Sequence, residues 1–343
     1  MAKIPHILLI YTGGTIGMVK DFKTGVLKTF NFNKLIKHIP EINHLNCTTD
    51  SISFEEPIDS SNMNVSKWIS IATIIEENYN LFDGFVVLHG SDTMSFTASA
   101  ISFMFENLSK PIIFTGSQLP IGDLRTDAKE NLITSIEIAS AQENGKPIVQ
   151  EVCLYFEYKL YRGNRTTKVN AEHFNAFTSP NFLPLCESGV HLKFNKSLFF
   201  KNSTTKQLQV RKKLDNNIVI LKIFPGITKE IVKSMLEIKG LKGVVLETYG
   251  SGNAPNEAWF INLLKGAVSK GIQIINVTQC IGGNVIMGQY ETSIELNKIG
   301  IISGNDITTE SALAKLMYML GEKIPKKDFK SIFTTSLRGE ISN

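Results

Sequence analysis

The chain has 343 residues, 43% apolar and 20% charged, with a formal net charge of +4. That length is enough for about two domains with real cores, and the balance is that of a soluble globular protein. Cys47, Cys153, Cys186 and Cys280 are scattered without CxxC spacing. They read as free thiols rather than as a disulfide frame or a zinc site. The basic cluster at 211–213 reads as a solvated loop, so no nucleic-acid partner is expected. The apolar run at 7–11 is too short for a signal segment and no run approaches membrane-spanning length, so a cytoplasmic protein is expected.

In chain order, HILLIYTGGTIG at 6–17 predicts a buried strand that finishes in a glycine turn presenting Thr15. Taken alone, that threonine fits a helix cap or turn residue better than a nucleophile. A buried strand at 85–88 is followed by a helix at about 93–106. The next strand, 111–114, precedes a helix at about 126–143, with Asp127 placed near its start to favour the dipole. A strand at 149–156 leads into a polar loop at 162–167. From 193 to 217 the pattern turns polar and basic. Alternation then resumes, with strands at 218–223, 244–247 and 272–277 and helices at 228–238, 257–269 and 308–320. The expected class is therefore α/β with two α/β domains. The larger, at 1–195, has a mainly parallel sheet flanked by helices; a linker at 196–216 precedes a smaller α/β domain at 217–343.

Four polar clusters fall at predicted strand ends: 12–15, 59–62, 89–93 and 115–118. Carboxyl ends of parallel strands share one edge, so these clusters should converge on a single crevice. Asp59 and Asp92 are their only carboxylates, which argues against metal hydrolysis; no metal and no cofactor is expected. The glycines at 13, 14 and 17 resemble a dinucleotide turn only loosely, because the GxGxxG spacing is missing. A hydroxyl nucleophile needs a base and a group to orient it. Ser91 and Asp92 supply a second hydroxyl and a carboxylate, and Lys168 is a candidate base. By residue type alone Lys168 reads as a surface lysine. A lysine acts as a base near neutral pH only where burial outweighs a neighbouring carboxylate.

At these residues the chain resembles the L-asparaginases, in their cytoplasmic bacterial branch. The motifs are YTGGTIG at 11–17, DSSNM at 59–63, HGSDTM at 89–94, TGSQLP at 115–120, LRTDA at 124–128, RGNRTTK at 162–168, YGSGNAP at 249–255 and LRGE at 337–340. The resemblance implies hydrolysis of L-asparagine to L-aspartate and ammonia through a covalent acyl-threonine. By match, Thr15 is the nucleophile, and Ser91, Asp92 and Lys168 handle its proton. Asp92 pairs with the substrate ammonium, while Asp59, Ser60 and Ser61 hold the main-chain end of the amino acid. Backbone N–H groups around Gly14 and Ser91 are candidates for the oxyanion. The resemblance also implies a homodimer or homotetramer, with Asn253 as a possible cross-subunit contact. A loop residue tolerating left-handed geometry is the competing reading of Asn253.

Three departures from the family pattern bear on this reading. Ser91 stands where threonine is usual, which keeps the hydroxyl but loses a methyl that stiffens χ1. A lid tyrosine credited with activating the nucleophile is missing, and Val26 falls near its place. Glu247 stands where some relatives carry an arginine of a regulatory asparagine site; a carboxylate cannot hold a substrate carboxylate, so that control is not expected here. Two alternatives keep the fold and change the role: a non-catalytic amino-acid sensor, and an amidotransferase-associated subunit. The second would be expected to carry an extra N-terminal module.

Overall fold

Apolar runs buried on both faces set the first sheet. The computed structural model describes residues 3–20, 27–29, 39–201, 206–288 and 291–342. The chain divides into two compact units, Met1–Lys212 and Lys213–Asn343. In the first, the strands in chain order are β1 (His6–Gly13), β2 (Thr48–Ile58), β3 (Gly84–Leu88), β4 (Ile112–Thr115), β5 (Val152–Phe156), β6 (Lys159–Arg162), β7 (Cys186–Ser188) and β8 (Leu192–Phe194). They form one eight-stranded sheet in the order β8-β7-β6-β5-β4-β3-β1-β2. From β2 to β5 all neighbours are parallel, and from β5 to β8 all neighbours are antiparallel. The carboxyl ends of β1, β2, β3 and β4 therefore lie along one edge.

The helices of this unit are α1 (Val65–Asn78), α2 (Met94–Met104) and α3 (Ala128–Ser140). Alternate residues of the strands serve opposite faces. Leu9, Val86 and Ile113 share a core cluster with Leu132 and Ile136 of α3. Helix α2 packs on β4 and β5, and α1 on α2. Every residue of α2 except Phe96 is buried, which explains its run of Ser, Ala and Thr: small side chains let it lie between sheet and neighbouring segments. Strand β2 and helix α1 lie outside the elements predicted from sequence. Strand β2 is a sheet edge rich in charge and hydroxyls, TTDSISFEEPI, so it carries no buried-strand signal. The stretch 196–216 contains paired structure: Gln209–Val210 bonds antiparallel to Phe105–Glu106. Arg211 and Lys212, read as a solvated basic cluster, form ion pairs with Glu106 (3.2 Å) and Glu76 (2.5 Å).

The second unit has strands β9 (Ile218–Lys222), β10 (Gly243–Thr248), β11 (Gln273–Thr278) and β12 (Ile302–Ser303), all parallel and in sequence order. Its helices are α4 (Lys229–Leu236), α5 (Ala258–Ser269), α6 (Glu291–Lys298), α7 (Thr309–Gly321) and α8 (Lys326–Phe333). Val244 and Leu246 face a core with Val232 of α4 and Phe260 and Leu264 of α5. Val245, between them, faces the other core with Leu316 of α7 and Phe329 and Phe333 of α8.

An ion pair lies inside that second core. The side chains of Lys315 and Glu340 are both fully buried and bonded to each other. Lys315 also donates to the carbonyls of Phe333 and Thr335, each at 2.7 Å. Glu340 accepts from the backbone N–H of Leu337 (2.9 Å) and Arg338 (2.6 Å), so the LRGE motif closes on its own glutamate. Burial pushes the Lys315 pKa down, and Glu340 opposes that shift. Removing one partner strands the other charge in the core. Lys315→Met is expected to cost about 3–5 kcal/mol of unfolding free energy. The double variant Lys315→Met/Glu340→Gln should recover part of the loss in denaturant unfolding.

Candidate active site

The edge at the carboxyl ends is assembled by sterics before chemistry. At Gly13 (φ 132°) a Cβ would sit 2.1 Å from the Ile58 carbonyl oxygen at the end of β2. At Gly14 (φ 87°) it would sit 2.5 Å from Gly90 N and 2.6 Å from Gly90 Cα. Both distances are impossible for a real Cβ, so only glycine lets the ends of β1 and β3 touch. Thr12 seals the same seam by donating to the Leu88 carbonyl at 2.9 Å. Thr15 and Ser91 are each the next residue after the two apposed glycines. Thr15 opens the 3₁₀ turn Thr15–Gly17, half-buried, and the N-cap position is Gly14 rather than the threonine. The helix-cap role that competes for this residue in sequence is therefore taken by its neighbour.

The second cluster arrives from β2. Gly13 pairs with Ile58, which delivers Asp59 and Ser60 to the same edge. Asp59 is exposed and caps the 3₁₀ turn Ser60–Asn62, accepting from Ser61 N at 2.9 Å. Ser60 is buried, and a Cβ on Gly90 would meet its hydroxyl oxygen at 2.5 Å. Its carbonyl accepts from Thr93 Oγ1 at 2.7 Å. Ser61 is exposed beside it. Hydroxyl and N–H donors next to a carboxylate suit the two charged ends of an α-amino acid.

Lys168 comes from far along the chain, and helix α2 brings it in. The 3₁₀ turn Gly163–Arg165 lies against α2, where Asn164 donates to Ser102 Oγ at 2.9 Å and Thr166 bonds Ser95 Oγ at 3.1 Å. Ser95 is one turn beyond Ser91, so this seam sets Lys168 opposite the start of the helix. The short ladder of Thr167–Lys168 with Phe177–Thr178 fixes its backbone. Lys168 Nζ then donates to Ser91 Oγ at 2.8 Å and to Asp92 Oδ1 at 2.7 Å. Its side chain is 16% exposed while that of Asp92 is 66% exposed. The surface-lysine reading of Lys168 does not hold, because the seam against α2 covers it.

His89, at the end of β3, is fully buried, and burial lowers its pKa from 6.5 to about 4. Its Nδ1 lies 2.7 Å from the Gly90 carbonyl, which can only accept, so the neutral ring carries its proton there. Asp127, expected to serve its own helix dipole, does something else. It makes no cap on α3 and instead accepts from Gln118 N (3.0 Å), Leu119 N (3.1 Å) and Asn131 Nδ2 (3.2 Å). Gln118 in turn accepts from Ser91 Oγ at 3.2 Å. The strand-end cluster at 115–118 places Gln118 at this crevice as expected, but neither Gln118 nor Asp127 is assigned a site role from sequence.

Thr15, Asp59, Ser60, Ser61, Ser91, Asp92 and Lys168 thus all belong to one edge of the first unit. Asn253 belongs to the second unit, where its backbone closes a turn with Tyr249 through bonds of 2.8 and 2.9 Å. Glu247, also in the second unit, accepts from Thr309 Oγ1 at 2.7 Å and lies 3.4 Å from Lys222 Nζ. Val26 lies outside the described residues. Among the described residues, no group of His, Cys, Asp and Glu is arranged to hold a metal, and no helix is long and apolar enough to cross a membrane.

Two measurements check this geometry. Folded His89 stays neutral down to about pH 4 while the unfolded chain takes its proton near 6.5. The folded state therefore binds fewer protons in that window, and stability falls as pH drops through it, by about 3 kcal/mol in full. The ring C–H resonances should titrate near pH 4, and His89→Asn should flatten the acid limb of the stability curve. Gly14→Ala places a methyl on the Gly90 backbone at a left-handed φ. It is expected to cost about 3 kcal/mol and to lower the thermal midpoint.

Comparison with known proteins agrees with this fold. Residues 6–199 match the family model "Asparaginase, N-terminal", and 217–333 match "Glutaminase/Asparaginase C-terminal domain". L-asparaginase 1 of Escherichia coli K12 is 38% identical over 98% of this chain and 98% of that protein. The 60 kDa lysophospholipase of Mus musculus is also 38% identical, over 98% of this chain and 62% of that protein. The crystal structure of L-asparaginase I from Vibrio cholerae superposes with a TM-score of 0.90 at 38% identity, covering 99% of each chain. With both family domains matched in order and close relatives spanning nearly its whole length, the chain belongs to the asparaginase family.

Proposed function

We propose that the chain is an amidohydrolase that converts L-asparagine and water to L-aspartate and ammonia through an acyl-threonine. The observation that carries this reading is the contact of Lys168 Nζ with Ser91 Oγ (2.8 Å) and Asp92 Oδ1 (2.7 Å), at the edge where Gly14 abuts Gly90. Its second support is kinship with E. coli L-asparaginase 1.

Thr15 Oγ attacks the side-chain carboxamide carbon of the substrate, and its proton passes to Ser91 Oγ as Ser91 turns its own proton from Gln118 to the Lys168 amine. The carbonyl π pair moves onto oxygen, where backbone N–H groups around Gly14 and Ser91 are the donors at hand. Collapse breaks the C–N bond, the nitrogen takes back a proton, and ammonia departs. Water then attacks the ester carbon, gives its proton to the same pair, and releases aspartate with Thr15 restored. Asp92, well exposed beside Lys168, meets the substrate ammonium, while Asp59, Ser60 and Ser61 receive the main-chain end. No cofactor enters this scheme. Glutamine differs by one methylene, which is worth only ~1–3 kcal/mol of discrimination, so some glutaminase activity accompanies the main one. The same reading makes the protein a cytoplasmic homodimer or homotetramer with Asn253 at a subunit contact.

Ammonia release from asparagine by three proteins tests it. Wild type should turn over. Thr15→Ala should lose about 10³-fold or more in kcat, and Lys168→Met a comparable factor with folding intact. Full turnover by Thr15→Ala would remove the nucleophile, and unchanged kcat in Lys168→Met would remove the proton carrier. Tight asparagine binding by wild type without turnover would favour an amino-acid sensor.

A further inference from the structure

We propose that Gln118, held in place by Asp127, is a positioning residue that fixes the Ser91 hydroxyl against Lys168; the inference rests on the amidohydrolase reading above. Gln118 sits just beyond β4, half-buried, and its amide is gripped at both ends. Its Nε2 donates to the carbonyls of Ala171 (3.2 Å) and His173 (3.0 Å). Carbonyls only accept, so the NH₂ end must face them and Oε1 must face Ser91. Ser91 accordingly donates to Oε1 at 3.2 Å while it accepts from Lys168 at 2.8 Å.

Both supports of Gln118 are themselves anchored. Asp127 accepts from the backbone N–H of Gln118 and Leu119, leaving its own helix end uncapped to do so. Thr126 donates to the Leu119 carbonyl at 3.2 Å, and Asn131 bonds both Asp127 and the Gly116 carbonyl. On the other side, Asn170 accepts from Glu172 N (2.8 Å) and His173 N (2.9 Å), which orders the loop that follows Lys168. Gln118 is thus a strut between the strand-end loop, the start of α2 and the Lys168 loop.

The strut answers a specific weakness. A serine has no β-branch, so left to itself its hydroxyl spreads over roughly three staggered rotamers. In one of them it meets Lys168. The hydrogen bond to Gln118 selects that rotamer and does the work that a second branch at Cβ does in a threonine. Gln118 acts through Ser91, so its effect should depend on Ser91 being present.

The test compares kcat and KM for asparagine in wild type, Gln118→Met, Ser91→Ala and the double variant Gln118→Met/Ser91→Ala, with thermal midpoints for each. Gln118→Met should lower kcat by roughly 10- to 100-fold, the cost of a hydroxyl misplaced by about an ångström, with KM changed less than about threefold. In the Ser91→Ala background the same substitution should change kcat by less than about twofold. Gln118→Met/Ser91→Thr should regain part of the loss, because the threonine stiffens its own χ1. If Gln118→Met does not fold, Gln118→Asn, which keeps the amide but withdraws its reach, serves in the same cycle. Unchanged kcat, or equal losses in both Ser91 backgrounds, overturns the positioning role while leaving the amidohydrolase reading intact. Absence of ammonia release by wild type overturns both.

Discussion

The carboxyl edge of the first sheet rests on a steric constraint: β1, β2 and β3 end so close together that residues 13, 14 and 90 have no room for a Cβ. Backbone meets backbone at 13 and 14, and several of the proposed site residues lie just past a contact. Asp59 and Ser60 follow Ile58, Ser91 follows Gly90, and Thr15 follows Gly14. Glycine's absent side chain is thus what lets three hydroxyls and the Asp59 carboxylate share one edge. The seam is buried and polar at once. Thr12, His89 and Ser60 are buried in it, with bonds from Thr12 to Leu88, His89 to Gly90 and Thr93 to Ser60. These bonds restrict how the buried groups can rearrange, while His89 Nε2 is left without a hydrogen-bond partner.

Helix α2 is the second organiser. It begins at the site, with the Ser91–Thr93 turn leading directly into it, and its buried small residues form the surface on which 163–168 is laid. Gly163 lies against Ala98, Asn164 against Ser102 and Thr166 against Ser95. These contacts seat the segment along the helix, and the bond of Thr166 to Ser95 lies one turn from Ser91, so Lys168 reaches its partners from an anchored backbone rather than as a free side chain. Burying the aliphatic stem while the ammonium meets a carboxylate and a hydroxyl is an arrangement a long cationic side chain tolerates well. The buried pair Arg162–Glu151, at 2.6 Å, pins the other end of the same segment.

The second unit solves its packing independently. Its parallel sheet alternates Val244 and Leu246 against Val245 between two helical layers, and the LRGE segment is tied in through Lys315 and Glu340. The LRGE motif in this chain therefore serves structure. Glu247 is likewise occupied, by Thr309 and Lys222, rather than presenting an open cationic pocket.

Strand runs, glycine turns, the two-unit division and the alternation of strand and helix were legible in the residues because they are local: apolar period, turn chemistry and motif order set them. Strand β2 leaves a weak periodic signal because it is a charged sheet edge, whereas helix α1 carries the helical period in Trp68, Ile71, Ala72 and Ile75 and still lies outside the predicted elements. The TGGT turn pointed at Thr15 only ambiguously, and resemblance to a family supplied the roles that spacing could not. Tertiary structure decided the rest. It made Gly14 the cap instead of Thr15, turned Asp127 from its helix end to the Gln118 loop, and covered Lys168. Lys168 meets Ser91 across 77 residues of chain. No local pattern encodes such a contact, because it depends on how α2 and the sheet pack; the sequence by itself determined which groups are present, and packing alone determined which of them touch.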